Sequence, residues 1–220
     1  MTMIISPFKK YQLPACCVVF FFLLSCSGRK NENIDTAAAP DSSAVKRISI
    51  NEDSALRATT TAILTLLREK KYKDIVKYVH STAGVRFSPY GYIDTVRDQV
   101  FTRQALEQQL NSKDSLIRYW GAYDGSGDSI NLTLPAYLGK FVYDVDFLNA
   151  EHTSVDSVMG MGNSLNNLAV VYKGDRFTES HFPGFDPKYS GMDWRSLRLV
   201  YRKENSTFYL VGIIHDQWTT

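Results

Sequence analysis

Residues 194–218 read WRSLRLVYRKENSTFYLVGIIHDQW, and this stretch decides the fold. Trp194 to Lys203 predicts a strand, Glu204-Asn205-Ser206 a turn, and Thr207 to Ile214 a second strand. The second strand is apolar on both of its faces, which is typical of a strand that is covered from both sides. The sequence therefore predicts a hairpin at the centre of a sheet rather than at its edge.

Helical patterns precede this hairpin. Asp53 is a plausible N-cap, and the apolar residues after it recur at helical spacing over about four turns. A second helical pattern ends at His80. Shorter helices are predicted from Thr102 to Leu110 and from Thr133 to Phe141, and residues 149–167 are read mainly as loop. Further strands are predicted at Gly84 to Ser88, Leu116 to Tyr123, Ser129 to Leu132 and Arg176 to Phe182. Helices followed by strands predict an α+β domain with the helices packed on one face of a bent antiparallel sheet.

The opening helix pair and the long final hairpin, with its aromatic ends at Trp194 and Trp218, together resemble the NTF2-like, or cystatin-like, superfamily. This resemblance rests on the order of the elements. It implies a cone-shaped cavity between the sheet and the helices, which some members use for catalysis and many use for binding alone. Fold by itself does not decide between these roles.

The N-terminus has the layout of an export signal. Lys9 and Lys10 are followed by an unbroken apolar run from Ala15 to Leu24. This run is only half of the roughly 20 residues that a membrane-spanning helix needs. The sequence Leu23-Leu24-Ser25-Cys26 resembles a bacterial lipobox, which implies that residues 1–25 are removed and that Cys26 is lipidated. The alternative is an ordinary secretory signal cut nearby.

Residues 26–52 are small and polar, without an aromatic side chain, and are predicted to be a flexible tether between the lipid and a domain at 53–220. The residues just after Cys26 are not acidic, which favours the default destination of a lipoprotein. We therefore expect a lipid anchor in the bacterial cell envelope, at the outer membrane and facing the periplasm. The lipid makes the membrane the first expected partner.

Cysteine and charge counts exclude several classes of function. The cysteines are Cys16, Cys17 and Cys26, so the mature domain has no thiol for a disulfide, a nucleophile or a metal site. Loss of Lys9 and Lys10 with the signal leaves 23 basic and 23 acidic residues. No basic block remains to bind phosphate backbones, and nucleic acid is not expected as a partner. No metal site or cofactor is predicted.

Three residues are candidates for catalysis. Glu179 and His181 share one face of a predicted strand, and His215 ends the last strand. Together they would form a general acid/base group or a nitrogen- and oxygen-ligated metal site. The alternative is a polar ladder on a solvated strand face. The chain contains no HExxH or GxSxG motif and no phosphate-binding glycine loop.

Two aromatic clusters are candidates for binding. Tyr90 and Tyr92, together with Trp120 and its neighbours Tyr119 and Tyr123, are predicted to line the mouth of a cavity, where they would stack on sugar rings. The second cluster lies at the open end of the hairpin and contains Trp194, Arg195 and Trp218.

In this second cluster, Arg195 and Asp216, or Asp193 and His215, are expected to pair across the strands. This cluster is read either as a recognition surface or as an aromatic plug that closes the domain.

These features predict a lipid-anchored envelope protein whose pocketed α+β domain binds a small molecule, a glycan fragment or an envelope partner without catalysis. The alternative is an envelope hydrolase or lyase that uses the Glu/His group, with Arg195 holding an anion. A structural assembly subunit is the third hypothesis, and a large exposed apolar patch would support it.

Overall fold

The final hairpin is the centre of the main sheet, as its sequence predicts. Strand β7 (Arg195–Glu204) pairs with β8 (Thr207–Gln217) in antiparallel register, and Asn205 and Ser206 form the turn. Asn205 has a φ of 56°, a left-handed conformation that asparagine tolerates better than most residues. β8 has a neighbouring strand at each edge. Both of its faces are apolar because Leu210 and Ile213 enter the core on one face of the sheet, and Val211 and Ile214 enter the core on the other.

The computed structural model describes residues 42–112 and 116–219. The main sheet has six strands in the order β2-β1-β8-β7-β6-β5, and β3 and β4 form a separate two-stranded sheet. The remaining strands are β1 (Val85–Ser88), β2 (Gln99–Phe101), β3 (Arg118–Ala122), β4 (Ser129–Leu132), β5 (His152–Val155) and β6 (Arg176–Phe182). The α-helices are α1 (Ser42–Arg68), α2 (Arg103–Asn111), α3 (Leu134–Phe141) and α4 (Leu168–Val171), with 3₁₀ turns at Tyr72–Tyr78, Phe147–Asn149 and Pro187–Tyr189.

The α+β class is confirmed, but the sheet is mixed rather than purely antiparallel. β1 runs parallel to β8, with Arg86 opposite Gly212 and Ser88 opposite Ile214. All other neighbouring strands in this sheet are antiparallel. The alternation of apolar and polar residues is the same for either direction of a strand, so the sequence pattern did not reveal the parallel pair.

The first helix begins at Ser42 and not at Asp53. The Asp53 carboxylate accepts a hydrogen bond from Arg176 on β6 and does not cap a helix. Neither glycine nor proline interrupts residues 42–68, so the helix extends into the predicted tether. The second predicted helix is a 3₁₀ turn, Tyr72–Tyr78. The predicted signal, the lipobox and Cys26 lie outside the described residues.

The two shorter predicted helices are confirmed, and so are their caps. The hydroxyl of Thr102 accepts a hydrogen bond from Ala105 N at the start of α2, and Thr133 accepts one from Ala136 N at the start of α3. The sequence analysis missed β2 and α4, which have only three and four residues. Within the described ranges, no helix combines the length and the apolar character that a membrane crossing demands.

Both faces of the sheet are covered, although helices were predicted on only one. The first face packs against α1, α2, α3 and the 3₁₀ turn at Tyr72–Tyr78 to form the larger core. The second face lies under the segment 156–175, which includes α4 and forms a smaller core. This smaller core contains Ile93, Leu168, Tyr172, Phe177, Val200, Val211 and Ile214. Val211, on the doubly apolar strand, is buried as expected.

Candidate functional site

An open cleft of about 740 Å³ has four tyrosines in its wall. It lies between the loop 89–98 that follows β1, the β3–β4 hairpin and residues 163–165. Tyr90 and Tyr92 contribute from the loop, and Tyr119 and Tyr123 contribute from the hairpin. Tyr92 is 51% exposed and Tyr119 is 39% exposed, so their rings are available to a ligand.

Asp98 is the buried carboxylate of this cleft. It is only 9% exposed, and its Oδ2 accepts hydrogen bonds from the Ser88 hydroxyl and from Asp94 N. Burial raises the pKa of Asp98 to about 6, because the cost of desolvating the charge exceeds the help of these hydrogen bonds and of the Arg86 charge. Asp98 therefore changes charge close to neutral pH.

The loop that carries Asp98 is shaped by a second carboxylate. Oδ1 of Asp94 accepts hydrogen bonds from the backbone N–H groups of Val96 and Arg97, each at 3.0 Å. Such local bonds are what allow aspartate to stabilise a turn. Arg86 on β1 donates to the Asp94 carbonyl at 3.3 Å, so the loop is also tied to the sheet.

His215 holds the other end of this loop from the first face of the sheet. Its Nδ1 lies 3.3 Å from the carbonyl oxygen of Pro89, and its Nε2 lies 3.3 Å from Asp144 Oδ1. His215 thus lies between the start of the loop and Asp144. Burial opposes the ionisation of Asp144, but the neighbouring His215 and Arg195 outweigh it, so the pKa of Asp144 lies below its usual value.

The second face of the sheet contains a buried charge cluster. Arg198 is fully buried, and its Nη1 donates to Asp216 Oδ2 at 2.8 Å while its Nη2 lies 3.2 Å from Glu179 Oε1. Glu179 also accepts hydrogen bonds from Met159 N and Gly160 N, both at 2.9 Å. Burial raises the pKa of Asp216 despite the guanidinium beside it. The cluster ties the segment 156–167 to β6, β7 and β8.

The three catalytic candidates do not form one group. Glu179 and His181 share a face, as predicted, but His215 lies on the opposite face of the sheet. Across β7 and β8 the partner of His215 is Leu197 of the larger core, whereas Arg198, the partner of Glu179, faces the other way. Successive residues of a strand lie on opposite faces of the sheet. Which face His215 occupies therefore depends on the pairing register of β8, and that register could not be read from the sequence. The predicted Glu/His site is therefore absent from the described residues.

Glu179 and His181 instead contact buried polar groups of the protein. The Glu179 carboxylate is occupied by two backbone N–H groups and Arg198. Nδ1 of His181 lies 2.8 Å from the hydroxyl of Ser196, which is fully buried, and desolvation lowers the pKa of His181. Neither side chain is placed to meet a substrate. Within residues 42–112 and 116–219, no three His, Asp or Glu side chains gather as metal ligands.

The binding candidates divide into two groups. Tyr90 and Tyr92 line the cleft, with Tyr119 and Tyr123. Trp120 was predicted at the cavity mouth, but it is fully buried, because it alternates with its tyrosine neighbour on β3 and stacks on Tyr137 with the ring centroids 3.9 Å apart. Its indole N–H donates to the Leu132 carbonyl at 2.9 Å. Trp120 thus belongs to the larger core and does not line the cleft.

The cluster at the end of the hairpin is mainly structural, and its predicted ion pairs were wrong. Arg195 pairs with Asp144 at 3.1 Å, and Asp216 pairs with Arg198. Asp193 instead accepts hydrogen bonds from the backbone N–H groups of Phe185 and Asp186. Trp194 is buried and Trp218 is 38% exposed. Neither tryptophan nor Arg195 lines the cleft.

The sequence analysis did not single out Asp98 and Arg198. Asp98 lies a few residues beyond the tyrosine cluster, and an acid near an exposed aromatic group was the available signal. Arg198 interrupts the apolar strand RSLRLVY, and a charge at the centre of a doubly covered sheet signals a buried partner.

Comparison of the chain with protein-family models, with curated proteins and with solved structures finds no match in any of the three.

Proposed function

We propose that this chain is a lipid-anchored protein of the bacterial cell envelope whose α+β domain binds a glycan fragment in the tyrosine-lined cleft without catalysis. The cleft is the observation that supports this proposal. Its volume of about 740 Å³ lies within the usual range for small-molecule sites, and several of its polar groups converge on a wall of aromatic rings. Tyrosine combines a flat apolar face, on which a sugar ring stacks, with a hydroxyl that bonds to sugar hydroxyls.

The arrangement of the carboxylates supports binding rather than hydrolysis. Glycoside hydrolysis generally uses a pair of carboxyl groups that flank the scissile bond. In this cleft Asp98 is the buried acid, whereas the neighbouring Asp94 already accepts two backbone hydrogen bonds through Oδ1. The alternative hydrolase or lyase relied on Glu179, His181 and His215, and the sheet separates His215 from the other two.

The envelope location is supported by the sequence alone. The basic start, the short apolar run and the LLSC sequence are what a lipoprotein signal requires, and Cys26 would carry the lipid. In that setting the cleft is exposed to the polymers and oligosaccharides of the cell envelope. The NTF2-like resemblance agrees with a binding role, since many members of that superfamily bind without catalysis.

A matched pair of tyrosine variants tests the binding proposal. The full chain in detergent is titrated by calorimetry with oligomers of N-acetylglucosamine and with peptidoglycan fragments. Tyr92→Ala removes a half-exposed ring from the cleft, and the affinity should fall about three- to tenfold. Tyr189→Ala removes a similarly exposed ring outside the cleft and should leave the affinity unchanged. No binding by any glycan, or equal losses in the two variants, would contradict the proposal.

A further inference from the structure

We infer that the ligand of the cleft carries a protonated amine and that Asp98 receives it. This inference rests on the proposed function and names the chemistry of the ligand, an ammonium group, at the same site. The amine belongs to an amino sugar without its acetyl group, or else to a free ammonium compound. The argument depends on the unused oxygen of Asp98, on the tyrosine rings and on the charges around them.

One oxygen of Asp98 is left for a ligand. Oδ2 accepts two hydrogen bonds, from the Ser88 hydroxyl and from Asp94 N, while no donor of the described residues bonds to Oδ1. Asp98 lines the cleft and is nine-tenths buried. The two hydrogen bonds and the Arg86 charge do not fully offset the cost of burying this carboxylate, and an ammonium group on the free oxygen would offset more of it.

The tyrosines suit a cation as well as a sugar ring. The face of an aromatic ring attracts a cation that lies within about 6 Å of its centroid. The protein itself provides an example at the edge of the cleft, where Lys140 Nζ lies 4.6 Å from the ring centroid of Tyr123. Tyr90, Tyr92 and Tyr119 remain for the ligand, since none of them has a cation over its ring among the described residues.

The charges that line the cleft also favour a cation. The lining contains Asp94, Asp98 and Asp124, and Arg97 is its only basic residue. The Arg97 side chain is 70% exposed, and its Nε lies 3.9 Å from Asp94 Oδ2, so the carboxylate it pairs with is Asp94. A neutral ligand would leave this excess of negative charge uncompensated.

Binding of an amine should depend on pH through Asp98. The groups that act on Asp98 are Arg86 on β1, Asp94 on the same loop, Tyr137 on α3 and Tyr172, which directly follows α4. Arginine stays charged, and burial raises the pKa of both tyrosines, so these three groups do not titrate near pH 6. Burial raises the pKa of Asp98 to about 6, and a cation selects the ionised form. The affinity should therefore fall as the pH falls through about 6.

Calorimetry with three forms of one glycan tests the inference on the full chain in detergent. The probes are tetramers of N-acetylglucosamine, of glucosamine and of N-trimethylglucosamine, whose positive charge is fixed. The two cationic tetramers should bind about tenfold more tightly than the acetylated one. Asp98→Asn should reduce this preference to less than about threefold, and Glu107→Gln, which neutralises an exposed carboxylate on α2, should leave it intact.

Each outcome separates the inference from the proposed function. Equal binding of the acetylated and cationic tetramers overturns the inference while the glycan-binding function stands. Choline is titrated as a fourth probe, and its binding without binding of any tetramer supports the ammonium site and overturns the glycan proposal. No binding by any probe overturns both. If thermal melting shows Asp98→Asn to be unfolded, the wild-type chain decides: affinity for the trimethylated tetramer that stays constant from about pH 7 to about pH 5 overturns the inference.

Discussion

Arg198 lies in an environment that is rare for an arginine side chain. It is fully buried between two carboxylates, one from β6 and one from β8, and it also donates to the Gly160 carbonyl. Its Nε lies 3.1 Å from Glu179 Oε2 but is too poorly aligned for a hydrogen bond. Two acids and one base leave a formal charge of −1 inside the sheet. The backbone N–H groups of Met159 and Gly160 help to carry that charge.

Removal of Arg198 should therefore be far more costly than removal of a surface arginine. Arg198→Leu leaves Glu179 and Asp216 without their cation, and the free energy of unfolding should fall by about 3–5 kcal/mol. Arg202→Leu on the same strand breaks a pair with Asp175 in which the guanidinium is 46% exposed and reached by water, and this change should cost less, about 1 kcal/mol. Urea denaturation of both variants measures the difference. Equal losses would show that the buried cluster has no special role in stability.

The raised pKa of Asp98 gives the protein a stability that changes with pH. The folded state binds this proton more tightly than the unfolded chain, in which aspartate has its ordinary pKa near 3.8. Stability from this residue therefore increases as the pH falls, by about 1 kcal/mol between pH 7 and pH 5. Asp98→Asn should remove this increment. We compare the two proteins by denaturant unfolding at both pH values, and parallel pH curves would contradict the burial argument.

At the scale of elements, the segment 156–167 comes very close to the sheet through its backbone. A Cβ on Gly160 would overlap Ser196 Oγ and the Trp194 ring. A Cβ on Gly91 would overlap the Asp216 carboxylate, so a second loop reaches the buried charges in the same way. Both loops can therefore lie this close to the second face of the sheet because each has a glycine at the point of contact.

Two glycine variants test this account in opposite directions. Gly160→Ala should lower the free energy of unfolding by about 1–3 kcal/mol, because neither Ser196 nor Trp194 has room to move. Gly139→Ala lies on α3, where a Cβ meets nothing within 4 Å, and alanine should raise stability by about 0.5–1 kcal/mol. Thermal melting of the two variants checks both signs. A tolerated alanine at Gly160 would mean that the segment moves easily.

The elements that were predicted correctly carry local signals. Thr102 and Thr133 cap their helices, and the pattern after Thr207 marks a strand with two covered faces. What could not be predicted depends on contacts between distant residues. The parallel pairing of β1 with β8, and the side of the sheet on which His215 lies, follow from register and not from spacing.

Only part of the candidate site was predicted, because some of its residues depend on contacts between distant parts of the chain. A position at the surface for Tyr92 follows from its place in a Pro- and Gly-containing loop, and both Tyr92 and the half-buried Tyr90 line the cleft. The burial of Trp120 follows from its packing on Tyr137, which belongs to an element further along the chain. Asp98 acquires its raised pKa from burial under several elements, and no local pattern encodes that burial.

At the scale of the whole molecule, the proposed location of the protein in the envelope depends on Cys26, which lies outside the described ranges. Cys26→Ser should move the protein from the membrane fraction to the soluble fraction, because a serine cannot take the lipid thioether. Cys17→Ser, within the predicted signal, should leave the protein in the membrane fraction. Fractionation of cells that express each variant measures both. Unchanged partitioning of Cys26→Ser would count against lipidation.

The parallel pair of β1 and β8 also has a consequence for how the protein is made. Most of the domain separates these two strands along the chain, yet Phe87 lies directly opposite Ile213. Such long-range pairing slows folding, because the ends of a long loop must meet before the contact is gained. The nascent polypeptide therefore cannot complete this sheet until Thr207–Gln217 has been synthesised. A truncation before Thr207 would remove the strand that joins β1 to β7.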